Sequence, residues 1–198
     1  MTDFGAIFKN GLYRFMLGGP YEDYVQRSAT KIIERAPSNA RSVLSVGCGN
    51  GDVEAFLADR FDITLHDVHD AARIAHPELH WVSNLPNNQF DYVYAHGAVF
   101  ACVPHEQKQQ FVDDLAARVV DGGTLYLCMG YAKQCRICRG KVYSIDGHTV
   151  TEYVASRGDG WQEIVTHIWG LQKISSVYYT ADIGPLWQKH SARITTIT

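Results

Sequence analysis

Apolar residues near the start of the chain recur at helical spacing. Phe4, Ile7, Phe8, Leu12, Phe15 and Met16 form one series, which Gly18, Gly19 and Pro20 stop. Val25, Ala29, Ile32 and Ile33 form a second, which predicts a helix over residues 21–35 with Pro37 beyond its end. From Arg41 the period changes. Val43, Leu44 and Val46 make a short apolar run ending in GCGNG, as a buried parallel strand entering a turn does. A helix is predicted next, with Val53, Phe56 and Leu57 on one face. FDITLHD then reads as a strand closing on Asp67, followed by a brief helical stretch over 70–75 that Pro77 ends.

Residues 79–82 predict a weak third strand and 90–95 a clearer fourth, with the turn-rich LPNNQ between them. Beyond Pro104, Phe111, Leu115 and Val119 lie four apart on a helix face, and Asp121, Gly122 and Gly123 end that helix. Residues 124–129 follow as a fifth strand. Strands alternating with helices over 41–129 require a mainly parallel sheet covered on both faces, an α/β, doubly wound architecture. KISSVYYT and the terminal ARITTIT, rich in β-branched and aromatic residues, read as two closing strands.

At 198 residues the chain suits one well-buried domain. Within it we expect a helical lid or packing segment (1–40), a ligand-binding core (41–130) and a C-terminal substrate-side segment (131–198). A formal charge of -3 offers no general basic footprint, which argues against phosphate-backbone binding as the main activity. No apolar run approaches the roughly 18 residues that span a bilayer, and the first residues lack the order of a signal peptide, so a cytoplasmic location without membrane contact is expected. Five scattered cysteines, Cys48, Cys102, Cys128, Cys135 and Cys138, do not form a disulfide framework, and reduced thiols follow.

The loop after the first strand reads Gly47, Cys48, Gly49, Asn50, Gly51, Asp52. Alternating glycines allow a tight strand-to-helix turn whose backbone a ligand can approach. A dinucleotide fingerprint would need glycine at position 52, where aspartate stands, so a nicotinamide enzyme is disfavoured. Asp67, twenty residues after Gly47 at the end of the second strand, is placed to accept hydrogen bonds from both hydroxyls of a ribose.

Through VLSVGCGNG (43–51), LHD (65–67), FDYVYAHGAVF (90–100) and LAARVVDGGTLYL (115–127), the chain resembles the class I, Rossmann-like S-adenosylmethionine-dependent methyltransferases. The resemblance covers about residues 40–130. It implies a seven-stranded, doubly wound sheet, S-adenosylmethionine as cofactor and S-adenosylhomocysteine as product. It further implies that Gly47, Cys48, Gly49 and Gly51 pass beneath the methionine part of the cofactor, that Asp67 holds the ribose and that Val68 flanks the adenine. Ser83 and Asn84, with Leu85 behind them, stand nearest the place where the family often carries an acid for the adenine amino group. The family usually has Asp or Glu two residues before the first glycine, where this chain has Ser45; Tyr13, Arg14 and Tyr21 are candidates to compensate.

Methyl transfer from a sulfonium is an in-line displacement, so alignment and exclusion of water supply much of the rate. Where the acceptor must lose a proton, a histidine is the usual base. His96, directly after the fourth strand and beside the cofactor, is the first candidate and His105 the second. His66, His69, His76 and His80 lack the spacing of a metal site, and CRIC (135–138) has no second pair, so no metal is expected. Lys133, Arg136, Arg139 and Lys141 make a local basic stretch. Methylation of a small molecule is the leading expectation, with an RNA or protein methyltransferase, or a non-catalytic cofactor-binding subunit, as alternatives. A homodimer is compatible with the sequence.

Overall fold

The computed structural model describes residues 21–97, 99–128, 141–145, 148–158, 161–168 and 171–178. The apolar series over 4–16, Tyr13 and Arg14, the CRIC segment and ARITTIT lie outside them.

Helix α1 (Tyr21–Arg35) opens the described chain, with Val25, Ser28, Ala29 and Ile32 buried one turn apart. Glu22 and Asp23 in its first turn and Arg35 in its last complement the helix dipole. Strands β1 (Ser42–Val46), β2 (Asp62–His66), β3 (His80–Val82), β4 (Phe90–Ala95) and β5 (Val119–Leu127) form a parallel sheet in the order β3-β2-β1-β4-β5. Because strand side chains alternate, each strand serves two cores. Val43, Ile63, Leu65, Tyr92, Tyr94 and Tyr126 pack with α1 on one face. Leu44, Val46, Val93, Ala95, Leu125 and Leu127 pack on the other with α3 (Val99–Cys102), through Phe100, and α4 (Lys108–Ala116), through Val112 and Leu115. The doubly wound expectation is met.

Several boundaries differ from the expected ones. The helix after the glycine loop is one turn, α2 (Asp52–Ala55), and Phe56 leaves it 61% exposed instead of joining Val53 and Leu57 in the core. One turn is too short for helical periodicity to place a fifth residue. The long helix expected after Pro104 divides into a 3-10 turn (His105–Gln107) and α4, and Val119 belongs to β5. Asp121 to Gly123 lie within that strand: Gly122 takes a left-handed φ of 79°, and the register against β4 shifts between Phe90 and Tyr92.

The seven strands expected are not all found among the described residues. Among the described residues the parallel sheet has five strands. The C-terminal part forms a separate antiparallel sheet of β6 (Lys141–Ile145), β7 (His148–Gly158), β8 (Trp161–Ile168) and β9 (Leu171–Tyr178), in that order. KISSVYYT contributes to β9 and so pairs with β8, not with β5. The reason is local: only two residues separate each successive pair, the first two pairs by Asp-Gly, and such short links join antiparallel neighbours. β9 lies beside α3. No described helix is long and apolar enough to cross a membrane.

Candidate functional site

The strand order reverses between β1 and β4, and in open α/β sheets ligands bind at the carboxyl ends of the strands flanking such a reversal. A largely apolar cavity of about 620 Å³ opens there, within the usual size of small-molecule sites. Gly47 and Gly49 after β1, Asp67 and Val68 after β2, and His96 and Gly97 after β4 all border it.

Gly47, Gly49 and Gly51 have φ of 69°, 63° and 80°. At Gly47 the requirement for glycine is steric as well: an added Cβ would meet the γ-carbons of Val99 at 2.5 and 2.6 Å, so the loop and α3 touch only because no side chain intervenes. The Gly47 amide donates to the His66 carbonyl (2.7 Å) and the Gly49 amide to Asp67 Oδ2 (3.0 Å), which ties the loop to the end of β2. Asp67 also accepts from the His69 amide at Oδ1 (3.0 Å). Its carboxyl is buried, and burial outweighs these two bonds and raises its pKa.

A second polar cluster braces the loop from outside. Tyr21 donates to Asp52 Oδ2 (2.5 Å) with its hydroxyl oxygen 3.3 Å from Asn50 Oδ1, Asn50 Nδ2 donates to Asp52 Oδ2 (2.6 Å), and His76 Nε2 meets Asp52 Oδ1 (2.7 Å). His76 Nδ1 lies 3.1 Å from Glu78 Oε1. Tyr21 therefore does reach the loop, through its neighbours and not at Ser45.

Ser45 is joined instead to Glu54. Its hydroxyl donates to Glu54 Oε1 (2.7 Å), and the Tyr94 hydroxyl donates to the same oxygen (2.9 Å). The sheet brings these groups together: Ser45 is in register with Tyr94 of the adjacent strand, and Glu54 sits on α2 directly after the loop. Glu54 is 2% exposed and Ser45 1%. Burial raises the pKa of Glu54 against the two hydroxyl bonds.

His96 borders the cavity with its Nδ1 3.3 Å from the Tyr126 hydroxyl and its ring 6.5 Å from that of Tyr24. Burial, helped by the charge of Lys31, lowers its pKa to about 4, so the imidazole is neutral at neutral pH. His105 opens the 3-10 turn between Pro104 and Gln107, both of which border the cavity. Cys48 is half-buried with its thiol toward the His66 carbonyl (3.5 Å); burial and the charges of Glu54 and Asp67 push its pKa well up.

Ser83 and Asn84 are exposed and do not border the cavity; Ser83 accepts a hydrogen bond from Arg73, while Leu85 takes the place on the wall. Among the described residues no cluster of three or more His, Cys, Asp or Glu could hold a metal ion. Glu54, Tyr24 and Tyr126 were not singled out from the sequence. For Glu54 the sequence holds no local signal, because its partners Ser45 and Tyr94 come from two strands of the sheet.

No protein-family model and no curated protein sequence matches the chain. Solved structures do. The S-adenosylmethionine-bound amino pentose methyltransferase CalS10 of Micromonospora echinaspora is 17% identical over 92% of this chain and 87% of its own, with a TM-score of 0.63. DesVI of Streptomyces venezuelae is 14% identical over 96% and 90%, with a TM-score of 0.65. The sugar N-methyltransferase KedS8 of a Streptoalloteichus species is 17% identical over 94% and 85%, with a TM-score of 0.58. With the glycine loop, the strand order and the cavity at the strand reversal, this similarity identifies the fold of the chain as that of the class I, Rossmann-like S-adenosylmethionine-dependent methyltransferases.

Proposed function

We propose that the chain transfers a methyl group from S-adenosylmethionine to a small-molecule acceptor. The observation that carries this reading is the convergence on one cavity of the glycine loop, the buried carboxylate of Asp67 and the His96 side chain, from the ends of three adjacent strands.

The residues present fit such a cofactor. A side chain at Gly47 would close the loop onto Val99. Asp67 keeps lone pairs beyond its two backbone bonds for the ribose hydroxyls. Val68, 80% exposed, and Leu85 offer apolar surface on the same cavity for the adenine. The bound sulfonium supplies the methyl group together with its leaving group. The protein must then orient the acceptor and keep water out, which the apolar wall of Val99, Val103 and Phe111 favours.

His96 orients the acceptor in this scheme. With a pKa near 4 it is a poor base toward a protonated amine, but a neutral ring can hydrogen-bond an acceptor that arrives deprotonated. Where Tyr126 donates to Nδ1, the His96 hydrogen sits on Nε2. CalS10 and KedS8, by their names, act on an amino pentose and on a sugar nitrogen, which makes amino sugars the first class to screen here.

Calorimetric titration of the ligand-free protein with S-adenosylmethionine, S-adenosylhomocysteine and NAD tests the proposal. Saturable binding of the two sulfur nucleosides without NAD binding is expected. Binding of NAD alone, or of none of the three, would overturn it.

A further inference from the structure

His76 has a carboxylate at each ring nitrogen: Nε2 lies 2.7 Å from Asp52 Oδ1 and Nδ1 lies 3.1 Å from Glu78 Oε1. A neutral imidazole has a single N–H, so it serves one of these acceptors and turns a lone pair against the other. Only the imidazolium donates to both. Among the described residues, Asp52 from α2 and Glu78 from the ring's own loop are the charged groups that face it, and Tyr21 of α1 faces Asp52 from the other side. The two acids outweigh desolvation and raise the pKa of His76.

The connection to the glycine loop is direct. Asp52 follows Gly51 and opens α2. Its Oδ2 accepts from Asn50 Nδ2 (2.6 Å), and its amide donates to Asn50 Oδ1 (3.4 Å), so the residue between Gly49 and Gly51 is tied to Asp52 through both ends of its amide. The main chain of His76 adds a second hold. Its carbonyl accepts from the Trp81 indole (2.7 Å), and the Trp81 ring lies 3.1 Å from the place a Cβ on Gly51 would take. His76 thus supports the loop at Asp52 and at Gly51. Loss of the ring proton leaves the second contact unchanged and removes one carboxylate bond together with the charge.

We propose that His76 is a pH-sensitive positioning residue for the cofactor loop, whose cationic ring holds Asp52, and through it residues 49–51, in the shape that binds the methyl donor. Methyl-donor affinity is then regulated by pH from outside the cavity. The inference rests on the methyl-donor reading of the cavity, and its test separates the two.

The test is calorimetric titration of wild type, His76→Gln and Glu78→Gln with S-adenosylhomocysteine from about pH 6 to about pH 9. Ligand binding that favours the charged ring is strongest below the folded pKa of His76 and weakens as pH rises through it. Wild-type affinity should fall about two- to fivefold there, the scale of a half-exposed ion pair. Glutamine keeps a donor but has no charge to lose, so His76→Gln should show the alkaline wild-type affinity throughout. Titration of the ligand itself is common to both proteins and cancels in their ratio. Glu78, 66% exposed, can be changed without disturbing the core, and Glu78→Gln should move the wild-type fall to lower pH. Should His76→Gln fail to fold, wild type and Glu78→Gln decide between them. A ratio of wild type to His76→Gln that stays constant with pH overturns the inference, as does a fall that Glu78→Gln leaves where it was; both results leave the methyl-donor reading in place. Failure of wild type to bind S-adenosylhomocysteine at every pH overturns both.

Discussion

Alanine at Gly47 meets two separable penalties. The first is conformational: at φ 69° an L side chain crowds its own backbone, which costs about 1–2 kcal/mol. The second is the clash with Val99 at 2.5 and 2.6 Å, and overpacking of this kind costs about 1–3 kcal/mol. Together they set a loss of about 2–5 kcal/mol. Gly122 is the control, because its φ is 79° but a Cβ there would meet nothing within 4 Å, so Gly122→Ala should lose only the first part. For a chain of this length 1 kcal/mol moves Tm by about 2–4 °C, and the excess of Gly47→Ala over Gly122→Ala should be about 2–12 °C. Thermal unfolding of both variants measures it. Val99→Ala in the Gly47→Ala background should return much of the excess, as a favourable coupling in a double-mutant cycle. Since Val99 also borders the cavity, Gly47→Ala should weaken S-adenosylhomocysteine binding where Gly122→Ala does not. Equal destabilisation by the two alanines, or no relief from Val99→Ala, would refute the steric argument.

Asp67→Asn keeps one carbonyl acceptor for two backbone donors, so it should lower stability by about 1–3 kcal/mol in urea unfolding and weaken S-adenosylmethionine binding in calorimetry; unchanged affinity would remove the ribose role. The stability contributed by His76 should depend on pH with a defined sign. Burial opposes its charge but is outweighed by Asp52 and Glu78, so its folded pKa is raised; the contribution is complete below the ordinary value of 6.5 and is lost as pH rises through the folded value. Asp52 is depressed by the Tyr21, His76 and Asn50 bonds against its own burial, so its contribution holds above 3.8 and fades as pH falls through its folded value. The Tm difference between wild type and His76→Gln should therefore be largest between these two pH values and shrink above 6.5, and a constant difference across the range would count against the bridge. Tyr126→Phe removes the partner of His96 Nδ1 and should slow turnover of a confirmed acceptor at unchanged S-adenosylhomocysteine affinity; equal turnover would detach Tyr126 from acceptor orientation.

The parallel half of the fold was legible because its signals are local and repeated. Buried strands such as Ser42–Val46 and Phe90–Ala95 are apolar runs bounded by turn residues, and Val25, Ala29 and Ile32 mark the inward face of α1. Position along the chain also located Gly47, Asp67 and His96 at strand ends, which the topology then gathers around one cavity. The antiparallel sheet was missed because its strands have no clean alternation, although Asp-Gly at 146–147 and 159–160 is the usual mark of a hairpin link. Phe56 was misplaced for a related reason, since a one-turn helix obeys its caps more than its period.

Glu54 was illegible on different grounds. An acid three residues past a glycine loop reads as a solvated first-turn residue, favoured there by the helix dipole whatever its surroundings. Its burial follows from two distant facts that no local pattern contains: β4 runs beside β1 with Tyr94 level with Ser45, and both present hydroxyls on the face that α2 covers. A larger acid at position 45 would occupy the space into which Glu54 reaches and would repel it there. Adding an aspartate at 45 while Glu54 remains should set two buried carboxylates against each other and destabilise the protein, whereas the exchange of both should not. Thermal unfolding of Ser45→Asp, alone and with Glu54→Ser, decides it: a single variant as stable as the exchange would show that the two positions are independent.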